Sequence, residues 1–75
     1  MLGQELKRAR EDAGLTQEAL ADGAGVHRTY VSLLERNRKS PTVAMLFRLC
    51  TVLSVKPSTL LSRVEARQAS SQRSK

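Results

Sequence analysis

The side chains best suited to chemistry form one short cluster in the middle of the chain. His27, Arg28, Thr29 and Ser32 can donate or accept hydrogen bonds, and the segment Arg36–Lys39 adds three cations. Guanidinium groups bind phosphates and the edge of guanine, whereas hydroxyl and methyl groups suit other base edges. The cluster therefore predicts binding to a polyanion, and nucleic acid is the favoured one.

Residues for catalysis form no recognisable set. The sequence has no glycine-rich phosphate loop, no nucleophile beside a base and no obvious carboxylate pair. Cys50 is the only cysteine and His27 the only histidine, so neither an internal disulfide nor a metal-binding set can be assembled. We expect Cys50 to be a small core residue, and we predict a protein that is not an enzyme and needs no cofactor or metal.

Composition gives the same answer. The chain has 75 residues, a formal net charge of +6 and an isoelectric point of about 10.5. That length suits one small domain, and the positive charge suggests an acidic partner. The sequence lacks both an apolar stretch of the roughly 18 residues that a membrane span requires and the pattern of a signal peptide. We expect a cytoplasmic protein with no membrane partner.

The elements that must position the cluster are helices. Thr16 can cap a helix that starts at Gln17, Gly23 and Gly25 permit a turn, and Asn37 tolerates the left-handed conformation of a helix end. From Glu65 onward large apolar residues are lacking, so we expect residues 1–63 to form the domain and residues 64–75 a disordered basic tail. The predicted helices are Leu2–Ala13, Gln17–Gly23, Arg28–Arg36, a fourth that begins after its cap Thr42 and runs to about Leu53, and a fifth starting at Pro57, with no strands.

Five segments carry a resemblance to a known family. They are LKRAREDAG, LTQEALA, VHRTYVSLLERN, SPTVAMLFRLCTVLSV and PSTLL. In this order and spacing, residues 4–62 resemble the Cro/repressor type of helix-turn-helix domain, the Xre family. The resemblance implies an all-α, compact, lambda-repressor-like bundle of five helices that regulates transcription. HRTYVSLLERN also resembles controller proteins of restriction-modification systems, and phage repressor and antitoxin remain open. Two residues depart from the family pattern. His27 stands where the family usually has Ser, Thr or Asp, and Asn37 stands where it usually has Gly.

The resemblance also implies roles for individual residues. Gln17, at the amino end of the second helix, is expected to meet a DNA phosphate. Arg28 is expected to bind guanine through O6 and N7, or else a phosphate alone, and Thr29 to meet a thymine methyl. An ion pair between Arg10 and Glu35 is expected to hold the first helix against the third.

The other expected contacts with double-stranded DNA lie along the third helix and the loop after it. Leu33 faces either a thymine methyl or the neighbouring turn, and His27 either donates to DNA or faces solvent. The hydroxyl of Tyr30 is expected to reach a phosphate. The full expected set is Gln17, His27, Arg28, Thr29, Tyr30, Ser32, Leu33, Arg36, Asn37, Arg38 and Lys39.

The fourth helix carries more apolar residues than one core face can use. Nine of the eleven residues from Val43 to Leu53 are apolar. At about 100° per residue, one face would comprise Val43, Leu46, Phe47, Cys50 and Leu53 and point to the core. The apolar residues left on the opposite face predict a homodimer that binds a two-fold operator. Scattered apolar residues on the surface of a monomer would also explain them. The expected interface is Met45, Arg48, Val52, Pro57, Leu60 and Leu61.

An alternative from another class is a protein-interaction module, such as an antitoxin-like partner-binding protein, that keeps the fold without binding DNA. Its recognition face would be acidic or apolar. The basic residues Arg28, Arg36, Arg38 and Lys39 favour DNA instead.

Overall fold

The fold was obtained as a computed structural model, which describes residues 2–73 and the side chains as far as Gln68. Five α-helices follow one another: α1 Leu2–Asp12, α2 Gln17–Ala24, α3 Arg28–Glu35, α4 Val43–Leu53 and α5 Pro57–Arg73. The all-α prediction with five helices is confirmed. Among the described residues no single helix has the length and apolar composition of a membrane span; only α4 and α5 together reach it, and they are bent by 106°.

Side-chain caps and left-handed residues set the helix ends. The Thr16 hydroxyl accepts the N–H of Ala19 at 3.0 Å and so caps α2. Thr42 caps α4 in the same way. Gly25, with a φ of 72°, ends α2 in the left-handed conformation that costs glycine little. These local signals explain why the predicted starts at Gln17 and after Thr42 agree with the structure.

The core lies where all five helices meet. α3 packs against α1 and α2, α4 against α2, and α5 against α1 and α4. One side of α3 is therefore held by two helices, and the other side faces outward. Cys50 is completely buried, as expected of a small core residue. The largest fully buried side chains are Leu6, Leu20, Val31, Leu49, Cys50, Leu60 and Glu5.

α4 is turned about its axis relative to the prediction. Val43 and Phe47 are 73% and 56% exposed, so placing them in the core was wrong. Leu49 is buried instead, because the helices that cover α4 meet the face of Leu46, Leu49 and Leu53.

Half of the six residues in the predicted dimer interface pack against the core, wholly or in part. Leu60 is completely buried in the core, which removes it from any surface. Met45 and Val52 are half-buried against the core, so they form no free apolar face. Val52 lies so close to Gly23 that a Cβ there would be 2.9 Å from its Cγ1. Of the expected interface, Arg48 and Leu61 are exposed and Pro57 is half-buried.

The tail is helical where disorder was expected. α5 continues to Arg73, so the prediction of disorder was wrong for residues 65–73. Ser74 and Lys75, which the prediction also covered, lie outside the described residues. α5 packs along α1, and Arg67 Nε lies 2.5 Å from Oε2 of Glu5. Glu5 is only 1% exposed and neither of its oxygens has a well-formed hydrogen bond, so this close ionic contact compensates its buried charge.

Candidate nucleic-acid interface

The site is built on α2, α3 and the turn that joins them. After Gly25, the N–H of Val26 donates to the Ala21 carbonyl at 2.9 Å, which closes the turn. Val26 is half-buried against the core. Val31 and Leu34, buried three residues apart, anchor α3 from within. Arg28, Thr29 and Ser32 consequently lie on the face of α3 that points away from the core.

Four expected contact residues meet at the junction of α2 and α3. Gln17, Arg28, Thr29 and Ser32 line one open pocket of about 160 Å³. Gln17 comes from the start of α2 and the other three from α3. The pocket thus presents an amide, a guanidinium and two hydroxyl groups to the same volume. This combination can bind a phosphate or the edge of a base, as the sequence led us to expect.

A buried ion pair lies directly behind this pocket. Arg10 Nε donates to Oε2 of Glu35 at 2.6 Å, and its Nη2 donates to Oε1 at 3.1 Å. Arg10 Nη1 also donates to the Leu15 carbonyl at 2.8 Å, and Gln17 Nε2 donates to Glu35 Oε1 at 3.0 Å. The hydrogen bond to Glu35 is the main cause that raises the pKa of Arg10 above its ordinary value. The expected Arg10–Glu35 pair is present, and it includes a link to Gln17 that was not expected.

The loop after α3 is held in place by Asn37. Asn37 has a φ of 58°, the left-handed conformation expected at the end of α3. Its Oδ1 accepts the N–H of Gly3 at 3.0 Å, so it satisfies a free amide at the start of α1. Since this oxygen already has a partner inside the protein, a DNA contact by Asn37 stays a prediction.

The basic side chains of this loop surround the outer end of α3. Arg36, Arg38 and Lys39 are exposed. Lys39 Nζ lies 6.0 Å from the centroid of the Tyr30 ring, within the range of a cation–π contact. Tyr30 itself is half-buried against the core, so its ring supports Lys39 from the protein side.

Two other expected contacts lie outside the pocket. His27 is exposed at the cap position of α3 and makes no side-chain capping bond. Leu33 is half-buried. Both contacts stay predictions. Within the described residues, no group of three or more His, Cys, Asp or Glu side chains could hold a metal ion.

Among the polar contacts that the sequence did not predict are those of Glu5 and Gln17. Glu5 stands among Leu2, Leu6 and Ala9 on one face of α1, and a lone carboxylate on an apolar face is a signal that could have predicted a buried pair. The link from Gln17 to Glu35 had no such signal, because it joins residues on different helices.

Two short helices at a glycine turn, with a polar and basic outer face on the second, define a helix-turn-helix domain. A profile of the helix-turn-helix family HTH_3 matches residues 6–60, and the chain belongs to this family.

Named relatives are regulators. The chain is 39% identical over 62 residues to the HTH-type transcriptional regulator SinR of Bacillus subtilis, covering 81% of this chain and 56% of that protein. It is 33% identical over 63 residues to the control protein C.SmaI of Serratia marcescens, covering 84% of this chain and 75% of that protein. The chain thus spans little more than half the length of its SinR relatives, 57% in Bacillus licheniformis and 56% in B. subtilis.

Solved structures share the fold. SinR in complex with DNA superposes with a TM-score of 0.77 at 39% identity, covering 81% of this chain and 98% of that one. The restriction-modification controller C.AhdI from Aeromonas hydrophila superposes with a TM-score of 0.76 at 36% identity, covering 79% of this chain and 89% of that one. The structures are therefore similar across most of the helical domain.

Proposed function

We propose that this chain is a sequence-specific DNA-binding regulator of transcription that inserts α3 into the major groove of double-stranded DNA. The observation that carries the proposal is the pocket in which Gln17, Arg28, Thr29 and Ser32 converge on one outward face. The major groove of B-DNA is wide enough to admit an α-helix. Support comes from SinR, solved in complex with DNA, and from the P22 c2 repressor, solved with a synthetic operator. The protein would act in the cytoplasm by occupying its site, without catalysis.

The residues divide by the part of DNA that each would contact. Phosphate contacts position a protein on the duplex, whereas contacts to base edges determine which sequence is bound. We assign Arg28 to guanine and Thr29 to a thymine methyl, because both stand on the outward face of α3. We assign Arg38 and Lys39 to phosphates, because they are exposed in the loop beside α3.

Binding to duplexes at several salt concentrations tests this proposal. If about six phosphates per dimer are neutralised, log affinity should fall with log salt with a slope of about −5, at roughly −0.9 per phosphate. A flat salt response would contradict DNA binding and favour a protein-interaction module.

Two arginine variants then separate the roles. Arg28→Ala should cost about 1–3 kcal/mol on a duplex selected from a random pool, and little on random DNA. Arg38→Ala, the matched control, should weaken both duplexes equally. If Arg28→Ala also weakened both equally, Arg28 would be a phosphate contact.

We also propose that the protein binds a two-fold operator as a homodimer, through a surface different from the one that the sequence suggested. Val43, Phe47 and Leu61 are the large apolar side chains that stay exposed among the described residues, at 73%, 56% and 46%. Val43 and Phe47 are adjacent on one face of α4, and α4 packs against α5, which carries Leu61. A two-fold interface here would bury these side chains, and a dimer with recognition helices about 34 Å apart would match one turn of DNA.

Sedimentation of a charge variant tests the dimer. Phe47→Glu should give a folded monomer that binds a half-site weakly, because a carboxylate in an apolar interface is costly. Ala66→Glu is the matched control, since Ala66 is also exposed but lies about 140° around α5 from Leu61. If the unmodified protein sediments as a monomer at concentrations that saturate DNA, this interface is wrong.

A further inference from the structure

The side chain of Gln17 is held in one orientation before any DNA arrives. Its Nε2 donates to Oε1 of Glu35 at 3.0 Å. An ionised carboxylate can only accept hydrogen bonds, so the nitrogen of the amide, and not its oxygen, must face Glu35. The second N–H of the amide is then left for the pocket that Gln17 shares with Arg28.

Glu35 is itself immobilised by Arg10. Glu35 is 6% exposed, and both of its oxygens accept hydrogen bonds from Arg10, at 2.6 and 3.1 Å. The same guanidinium is anchored to the Leu15 carbonyl, two residues before Gln17. The network therefore fixes the loop that leads into α2 together with the side chain of Gln17.

We infer that Glu35 is a positioning residue for the contact of Gln17 with DNA, in addition to its structural ion pair with Arg10. This inference rests on the proposed function. A glutamine that is free in solution loses side-chain entropy when it binds, whereas one already held by a buried carboxylate loses less. The ion pair in the protein interior thus strengthens a contact at its surface.

The test measures the affinity for one selected duplex of Gln17→Ala, Glu35→Gln and the double variant. Gln17→Ala should weaken binding about tenfold, as expected for one hydrogen bond to a charged group. Glu35→Gln should produce a similar loss, because a neutral amide can donate as well as accept and no longer fixes the orientation of Gln17. The double variant should be no weaker than Gln17→Ala alone, with the salt slope unchanged because Gln17 carries no charge.

Glu5→Gln is the matched control. Glu5 is also a buried carboxylate in an ion pair, but its partner is Arg67 on α5. Glu5 is not among the residues that line the pocket. Its variant should lose stability and keep its DNA affinity. All variants are compared at a temperature at which circular dichroism shows each to be folded.

A direct readout uses the side-chain amide signals of Gln17 in nuclear magnetic resonance spectra without DNA. These signals should move towards those of a free glutamine in Glu35→Gln and stay in place in Glu5→Gln. The inference is overturned if Glu35→Gln binds DNA as tightly as Glu5→Gln, if the two losses multiply in the double variant, or if the Gln17 signals do not move. Failure of the unmodified protein to bind any duplex would instead overturn the proposed function, and this inference with it.

Discussion

Gly3 is the position at which a single methyl group should disturb the domain most. It is buried in α1, where the helix rests directly on the last carbonyl groups of α3. A Cβ at Gly3 would stand 2.5 Å from the carbonyl oxygen of Glu35 and closer still to that of Leu34. These are backbone atoms, so no side-chain rotation can relieve the contact. In Gly3→Ala, α1 must therefore move away from the recognition helix.

The expected cost follows from three contributions. Overpacking a tight contact costs about 1–3 kcal/mol, and a rigid backbone places Gly3→Ala near the upper end. Displacing α1 also strains the hydrogen bond from Gly3 to Asn37, worth about 1 kcal/mol. Alanine has a higher helix propensity than glycine, which offsets about 1 kcal/mol of this cost. We therefore expect the free energy of unfolding to fall by about 3 kcal/mol.

Two other glycines supply controls for the same substitution. A Cβ at Gly23 would be 2.9 Å from Cγ1 of Val52, the end of a side chain, so Gly23→Ala should cost less than about 1 kcal/mol. A Cβ at Gly14 would meet nothing within 4 Å, but its φ of 72° should make Gly14→Ala cost about 1 kcal/mol.

Urea unfolding followed by circular dichroism measures all three variants. Equal stability of Gly3→Ala and Gly23→Ala would show that α1 does not rest on the carbonyl groups of α3, and would refute the reasoning.

Further predictions concern the loop and the core. Asn37→Gly should change stability little, because glycine relieves the left-handed conformation and so offsets the loss of the capping bond to Gly3. Asn37→Ala loses the same bond and keeps the left-handed conformation, so it should lose about 1–2 kcal/mol in urea unfolding. Equal losses in the two variants would contradict a cost of the left-handed conformation at this position. Cys50 is buried and burial raises the pKa of its thiol, so a thiol reagent at pH 8 should label it only after urea unfolding; rapid labelling of the folded protein would contradict the packing. Tyr30→Phe should bind DNA as the unmodified protein does if the ring acts by supporting Lys39, and Tyr30→Leu should weaken binding; a loss in Tyr30→Phe would show instead that the hydroxyl reaches a phosphate.

Local signals predicted the helices and the turn well, because they act within a few residues. Thr16 and Thr42 cap helices through their own hydroxyl groups, and Gly25 turns the chain through its own backbone. The outward face of α3 was predictable for the same reason, since Val31 and Leu34 identify its inner side.

The orientation of α4 could not be predicted in this way. Nearly every position of α4 is apolar, so the sequence alone allows several faces to be buried. The choice is made by neighbours that are distant in sequence: α2 and α5 cover Leu46, Leu49 and Leu53, and they leave Phe47 exposed. The predicted interface was wrong at Leu60, which α5 places in the core, and Val52 is half-buried against the core.

The sequence assigned one contact to α1, the Arg10–Glu35 pair, and the structure adds contacts of Gly3 and Glu5. α1 contacts three other parts of the molecule: Gly3 donates to Asn37 in the basic loop, Arg10 holds Glu35 behind the pocket, and Glu5 meets Arg67 on α5. These contacts join residues that are 25 to 34 positions apart, or more in the last case, so no local pattern predicts them. Because packed helices move as rigid bodies, a change in α1 should shift α3 and its loop together. Gly3 and Arg10, which contact the basic loop and Glu35 but not DNA, can therefore alter the affinity for it.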